Sequence, residues 1–270
     1  MLSVCMIARN EAARIGRALE SVSWAEERIV LDCGSTDGTA EIARAHGAQV
    51  YRAEHTPNLN VNKNRCIALA RQEWVLLLDA DEVVGEALAR EIRTVVARNP
   101  RENGFWIPRR NWYFGHLVRY GGQYPDYQLR LFRRGMLRFP EQHIHEYPLL
   151  RGTAGRLREA LDHFPYETLS HYLAKMDRDT EFHAQYLLRR YGRAHLGRLL
   201  RLVLLRPAWR FLERYLLWQG FRDGFAGFLC AWLDGVNSIV AAAKYWQVSE
   251  QMGSEHVLSE ANRDVRGVAP

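Results

Sequence analysis

Apolar and polar positions over the first hundred residues switch repeatedly between a short continuous run and a helical period. Residues 2–8 are apolar apart from Ser3, which predicts a buried strand, and residues 11–22 follow with Ile15, Leu19 and Val22 at helical spacing. Residues 28–31 read as a second strand ending at Asp32, and the turn Cys33-Gly34-Ser35-Thr36-Asp37-Gly38 leads into a helix opening at Thr39. Residues 48–51 predict a third strand and 62–71 a third helix. A fourth strand, 74–78, runs straight into Asp79-Ala80-Asp81-Glu82. Strands alternating with helices predict βαβ units and a mixed, mostly parallel sheet flanked by helices, that is, an α/β fold. From about residue 103 the aromatic segments 105–114 and 127–132 read as strands, and helical periodicity returns near Glu167 and persists to about 247. The expected organisation is an α/β domain over 1–165 and a helical region over 166–270.

The chain has 270 residues, 47% of them apolar, which is enough for a sizeable core and excludes a disordered chain. Its net charge of +6 is unevenly spread. Residues 189–222 hold nine arginines against the single acid Glu213, a local charge of +8, so the remainder is at −2. A basic coat for nucleic acid is therefore not expected. Arg206, Arg210 and Arg214 recur every four residues, with Trp209, Leu212 and Leu216 on another side. That profile fits an interfacial helix meeting an anionic membrane surface, or a helix packed on the body with solvated arginines. The four cysteines form no CxxC pair, so reduced thiols are expected, with no zinc knuckle. The start of the chain has no basic leader and does not read as a signal peptide. The longest apolar candidate, 224–233, is bounded by Asp223 and Asp234, so the chain is expected to be soluble or to lie on a membrane without crossing it.

Polar residues collect after the predicted strands: Asn10 and Glu11, Asp32 and Asp37, Asp79 and Asp81. The carboxyl edge of a parallel sheet is where ligands bind. Two carboxylates two residues apart at a strand end can face one hard divalent cation, which in turn neutralises a diphosphate. Gly34 and Gly38 permit tight turns, and Asp37 either accepts from a pyrimidine or ribose or simply caps the following helix. Lys63 and Arg65 stand near the start of the third predicted helix, either to meet phosphate or as ordinary exposed charges. No GxGxxG follows the first strand, so this is not a dinucleotide fingerprint.

The ordered set Ala8-Arg9-Asn10-Glu11, Asp32 with Gly34-Ser35-Thr36-Asp37, and Asp79-Ala80-Asp81-Glu82 resembles family 2 inverting glycosyltransferases of the GT-A fold, nearest to bacterial lipopolysaccharide-core heptose β-glucosyltransferases. The likeness spans about 2–247, including Gly220-Phe221-Arg222-Asp223-Gly224. It implies transfer of a sugar, glucose first, from a UDP-sugar to a lipid-linked oligosaccharide acceptor, on the cytoplasmic, inner face of the cytoplasmic membrane. It implies that Arg9, Asn10, Glu11, Asp32, Asp37, Lys63 and Arg65 lie at the nucleotide sugar, and that Asp79 and Asp81 hold Mn²⁺ or Mg²⁺ and the diphosphate. Many relatives have Asp where this chain has Cys33, so the pyrimidine contact falls to Asp32 or Asp37. Asp126, in Tyr124-Pro125-Asp126-Tyr127, matches the family's base, although an Asp after Pro is also a common turn residue. Arg130 would neutralise a phosphate or pair with Asp126. His143 and His145 share one face of an extended segment, and His145 matches a late metal-binding histidine. Trp106, Trp112, Tyr113 and Phe114 fit sugar stacking or an ordinary core. Two rival readings are transfer to a peptide or another envelope polymer, and a non-catalytic, membrane-associated nucleotide-sugar-binding scaffold.

Overall fold

A computed structural model of the chain describes residues 1–56, 58–141 and 147–266, with backbone alone over 252–266. The chain divides into two compact units, one of 1–111 with 124–165, the other of 112–123 with 166–270.

The first unit is a sheet with helices on both faces. In chain order it contains β1 (Leu2–Ala8), α1 (Ile15–Glu20), β2 (Glu27–Asp32), α2 (Thr39–Ala45), β3 (Gln49–Arg52), α3 (Leu59–Ala68), β4 (Trp74–Leu77), β5 (Glu82–Val83), α4 (Glu86–Arg98) and most of β6 (Gly104–Tyr113). After β7 (His116–Val118), which belongs to the second unit, come β8 (Asp126–Arg133), β9 (Leu137–Arg138), β10 (Leu149–Leu150), β11 (Ala154–Arg156) and β12 (Leu161–Tyr166). The main sheet has the order β3-β2-β1-β4-β8-β6-β12-β5. β3, β2, β1 and β4 are parallel, and β8 is antiparallel to both β4 and β6. This is the mixed, mostly parallel α/β arrangement that the sequence predicts.

Two apolar clusters, one for each face of the sheet, explain why β1 is apolar without alternation. Val4 and Met6 pack with Leu19, Leu88 and Ile92 of the helices on one face, and Cys5 packs with Cys66 and Ile67 of α3 on the other. The predicted first helix starts later than its periodicity suggested, at Ile15, because residues 10–12 instead bond to the 35–39 turn. The third helix starts earlier, at Leu59, where the Asn58 side chain accepts from the Asn60 N–H as an N-cap. Lys63 and Arg65 therefore lie beyond the first turn.

The second unit is helical: α5 (Leu169–Tyr191), α6 (Leu196–Leu200), α7 (Arg206–Leu212) and α8 (Gly224–Arg266). Wider, π-type turns at 201–205 and 213–217 flank α7, and the first of them leads into Pro207, which has no N–H to give to a helical bond. Tyr245 is fully buried between Ala184 and Leu187, and its hydroxyl donates to the Gly192 carbonyl at 2.7 Å. The Asp223 carboxylate accepts from the N–H groups of Arg119 and Tyr120 at 2.9 and 2.7 Å, which fastens the 112–123 excursion. Gly227 is required here, because a Cβ would stand 1.9 Å from the Gly220 oxygen.

Two features of this region go beyond the sequence pattern. Residues 220–251 form a helix that is, by length and composition alone, apolar enough to cross a membrane, with mean hydropathy 1.5. Isolated charges such as Asp234 do not offset its apolar majority, and a third of the apolar stretch is buried in the protein. The cationic stripe also divides. Arg210 and Arg214 turn inward, both donating through Nε to Asp234, at 2.8 and 3.0 Å, and only Arg206 of the three is exposed.

Candidate functional site

The strand register of the first unit assembles the site. Ala8 is paired with Asp32, so the loops after β1 and β2 leave the sheet at one level. Leu77 is paired with Cys5, so Asp79, two residues on, comes level with Ile7 at the same edge. β8 runs the opposite way, with Leu131 opposite Leu76, so its first residues, from Asp126, reach the edge where β4 ends. An antiparallel strand inserted into a parallel sheet thus delivers a third carboxylate, Asp126, to the edge that holds Asp32 and Asp79.

The loops after β1 and β2 are laced together. The Asn10 N–H donates to Ser35 Oγ at 3.0 Å, and its side-chain oxygen accepts from the Thr36 N–H at 2.8 Å. Asn10 holds φ at 56°, a left-handed conformation that asparagine tolerates. The Glu11 N–H donates to Thr39 Oγ1, and Asp37 accepts from the N–H groups of Ala12 and Thr39. Burial pushes the Asp37 carboxyl up, but the bonds from Thr39 and Ala12 outweigh it and hold the group below its ordinary value. Asp37 braces the turn, with Gly38 rather than Asp37 at the helix N-cap, and remains exposed at the edge. Asp32 is buried and accepts from the Ser35 N–H. Arg9 and Arg65 are exposed; Arg65 contacts Asn62, and Lys63 lies over the Phe139 ring at 5.3 Å.

Behind the edge lies a chain of five charged groups. Fully buried Glu82 accepts from Arg130 Nη2 at 2.7 Å, from Arg109 Nη1 at 3.2 Å and from the Asp79 N–H at 2.9 Å. Arg130 also bonds Asp79, while Arg109 grips Asp126 through Nε and Nη2 at 2.9 and 2.6 Å. Gln128 donates to the other Asp126 oxygen at 2.7 Å. Arg130 thus pairs with Asp79 and Glu82 rather than with Asp126. The partner of Asp126 is Arg109, its direct cross-strand neighbour in the β6–β8 ladder. Burial pushes the Asp79 carboxyl up, but Arg130, Lys63 and Arg109 outweigh it and hold it well below the carboxylate range. Asp126 is likewise lowered: burial opposes, and Arg109, Gln128 and Asn111 prevail. Both groups are ionised at neutral pH.

Residues 3–164 match the family model described as Glycosyl transferase family 2. The chain belongs to this family. Over 252 residues this glycosyltransferase is 28% identical to the lipopolysaccharide core biosynthesis glycosyltransferase LpsC of Rhizobium meliloti, covering 91% of this chain and 92% of that one. An uncharacterized glycosyltransferase of Rickettsia bellii is 38% identical over 97 residues, 36% of this chain and 33% of that protein. Among solved structures, glucosyl-3-phosphoglycerate synthase from Mycobacterium tuberculosis, in complex with Mn²⁺, UDP-glucose and phosphoglyceric acid, is similar with a TM-score of 0.36 and 26% identity, over 41% of this chain and 44% of that one.

In the glycosyltransferase, the donor set at Asp79 and Asp81 fits a divalent cation held in part by protein. Among the described residues no group of three or more His, Cys, Asp or Glu side chains converges. Two hard carboxylates with the remaining positions left to phosphate oxygens is the usual mode for Mg²⁺. His143 and His145 lie outside the described residues. Among the described residues, His163 on β12 lies beside Asp81, its Nε2 3.6 Å from that carboxylate and its Nδ1 2.7 Å from Asn111 Oδ1. Sequence reasoning missed His163, Arg109 and Glu82 as site residues. Only Glu82 carried a local signal, its position in the acidic run.

Proposed function

We propose that this glycosyltransferase transfers a hexose, glucose in the first instance, from a UDP-sugar to a hydroxyl of a lipid-anchored lipopolysaccharide-core saccharide, with inversion. The observation that carries the reading is the convergence of Asp32, Asp79 and Asp126 on one sheet edge. Exposed Arg9 and Asn10 and half-buried Glu11, with Asp32, Asp37, Lys63 and Arg65, would line the nucleotide sugar. Asp126 takes the proton of the acceptor hydroxyl. That oxygen forms the new bond to the anomeric carbon as the bond to UDP breaks, and the electron pair leaves with UDP. Arg109 fixes the orientation of Asp126, and Arg130 offers a buried Nε with no partner, a donor suited to an anionic leaving group. Asp79 and Asp81 would hold Mn²⁺ or Mg²⁺, which supplies positive charge against the diphosphate.

The test is release of UDP from UDP-glucose in the presence of Mn²⁺ and a truncated lipopolysaccharide core. Asp81→Ala is expected to weaken UDP binding in Mn²⁺ at least tenfold and to leave binding without metal almost unchanged. Titration calorimetry with and without chelator reads both. Equal affinity of the wild type for UDP with and without metal would remove the cation from the reading.

Similarity to LpsC supports the acceptor class, and the helical unit supports a peripheral site on the cytoplasmic membrane face. Leu200, Leu204, Trp209, Leu212 and Leu216 recur at helical spacing and are all exposed, and Leu205 and Phe225 are 69% and 75% exposed. The helix turns its paired arginines inward and its apolar face outward, the reverse of a soluble surface helix. Leu205→Glu combined with Trp209→Ser is expected to lower partitioning onto vesicles containing phosphatidylglycerol at least tenfold, since each buried side chain contributes roughly 1.5–3 kcal/mol. Co-sedimentation measures it.

A further inference from the structure

The helical unit holds a cleft of about 200 Å³ to which the transfer chemistry assigns nothing. Part of its lining is aromatic. Tyr166 meets Tyr172 edge-on with centroids 4.7 Å apart and lies 5.4 Å from Tyr113, while Phe114 meets Tyr172 at 6.2 Å. The other part is polar and includes Arg214, Asp234 and Asn237.

Three observations distinguish it from a gap in the core. The charges are fixed and balanced: Asp234 joins Arg210 and Arg214, and Glu213 lies 3.5 Å from Arg210, so two carboxylates face two guanidiniums. Asn237 lines the cleft half-buried, and its amide makes no hydrogen bond among the described residues, leaving two donors and an acceptor for a ligand. Phe114 is held at φ 55°, which is costly for a bulky side chain in a turn where Asn or Gly would be unstrained. Its N–H is tied to the Tyr166 carbonyl at 2.9 Å. Backbone strain of this kind persists where the surrounding structure enforces it, commonly at ligand sites.

We infer that this cleft binds a neutral pyranose ring, which, resting on the proposed activity, is part of the saccharide acceptor. A pyranose has a C–H face that packs on aromatic rings and a rim of hydroxyls that both donate and accept. Aromatic faces beside an unpaired amide and a locked ion pair supply partners for both. A phosphate group would need net positive charge, which Asp234 and Glu213 cancel.

The test titrates the full-length protein with methyl glucopyranoside, galactopyranoside and mannopyranoside by saturation-transfer NMR. For ligands of this size, one of them is expected to bind with Kd on the order of 1 mM. Asn237→Leu keeps a good helix former and breaks no existing bond, so it is expected to fold normally and weaken binding about tenfold. Tyr166→Ala is expected to do the same, and exposed Arg178→Ala to change nothing. No saturable binding of any glycoside to the wild type, or equal affinity in Asn237→Leu, overturns the assignment. UDP titrated with Mn²⁺ into the same wild-type sample reads the donor site separately. UDP binding without glycoside binding defeats the cleft alone, and glycoside binding without UDP binding upholds the cleft and counts against the proposed donor chemistry.

Discussion

Asp126→Asn is expected to lower kcat by about 10²–10⁴-fold, the range lost with a general base, while leaving the affinity for UDP with Mn²⁺ unchanged. The asparagine keeps the shape, its one oxygen can still accept from Arg109, and Gln128 can turn its own amide to accept from the new NH2, so a large fall in rate reports the missing proton acceptor rather than lost architecture. The pH profile supplies the second half of the test. A base must be ionised to work, and the Arg109 guanidinium holds Asp126 below its ordinary value of 3.8. The wild-type rate should therefore show no loss from this group between neutral pH and about pH 5. Arg109→Met removes the cation that lowers the group, so the acid limb is expected to move to higher pH, with kcat affected more than KM. A profile that does not move on this substitution would detach Arg109 from the base.

The largest expected effect on stability is at Glu82. Glu82→Ala leaves the Arg130 and Arg109 guanidiniums close together with one shared carboxylate gone and the Asp79 N–H without its acceptor. Removing one partner from a buried network costs about 3–5 kcal/mol, and urea denaturation should register it. Exposed Glu86, 3.4 Å from Arg90 at helical spacing, provides the contrast: Glu86→Ala is expected to change stability by no more than about 0.5 kcal/mol. Acid should act on the same network. The folded Asp79 carboxyl is held below its ordinary value of 3.8, so its contribution is complete above that value and is lost as pH falls below it. Stability is expected to stay level from neutrality to about pH 5 and to decline below about pH 4.

The sheet edge was legible because its signals are local. A strand that stops at Asp32, a glycine-rich turn and a strand running into Asp79 and Asp81 can each be read within ten residues. The ion network was not legible, because its members meet through ladder pairing: Arg109 and Asp126 are 17 residues apart, and Arg130 and Asp79 are 51 apart. Once β6 and β8 are known to be antiparallel neighbours, Arg109 opposite Asp126 follows from register. The inward turn of Arg210 and Arg214 has the same origin, since their acceptor Asp234 lies on another helix. Residues 112–123 fall inside the domain expected over 1–165, yet they group with the helices, where Asp223, about a hundred residues later, holds Arg119 and Tyr120.

The five-membered ion chain has a consequence for the timing of charge. Three carboxylates and two guanidiniums leave it with one unit of negative charge at rest. In the proposed reaction Asp126 gains a proton in the same step that adds negative charge to the departing nucleotide, so the chain becomes neutral at the moment the leaving group most needs a less negative neighbourhood. Arg109, no longer opposed by an ionised Asp126, then keeps Glu82 as its counter-ion until the proton is shed, and loss of that proton restores the resting charge before the next donor.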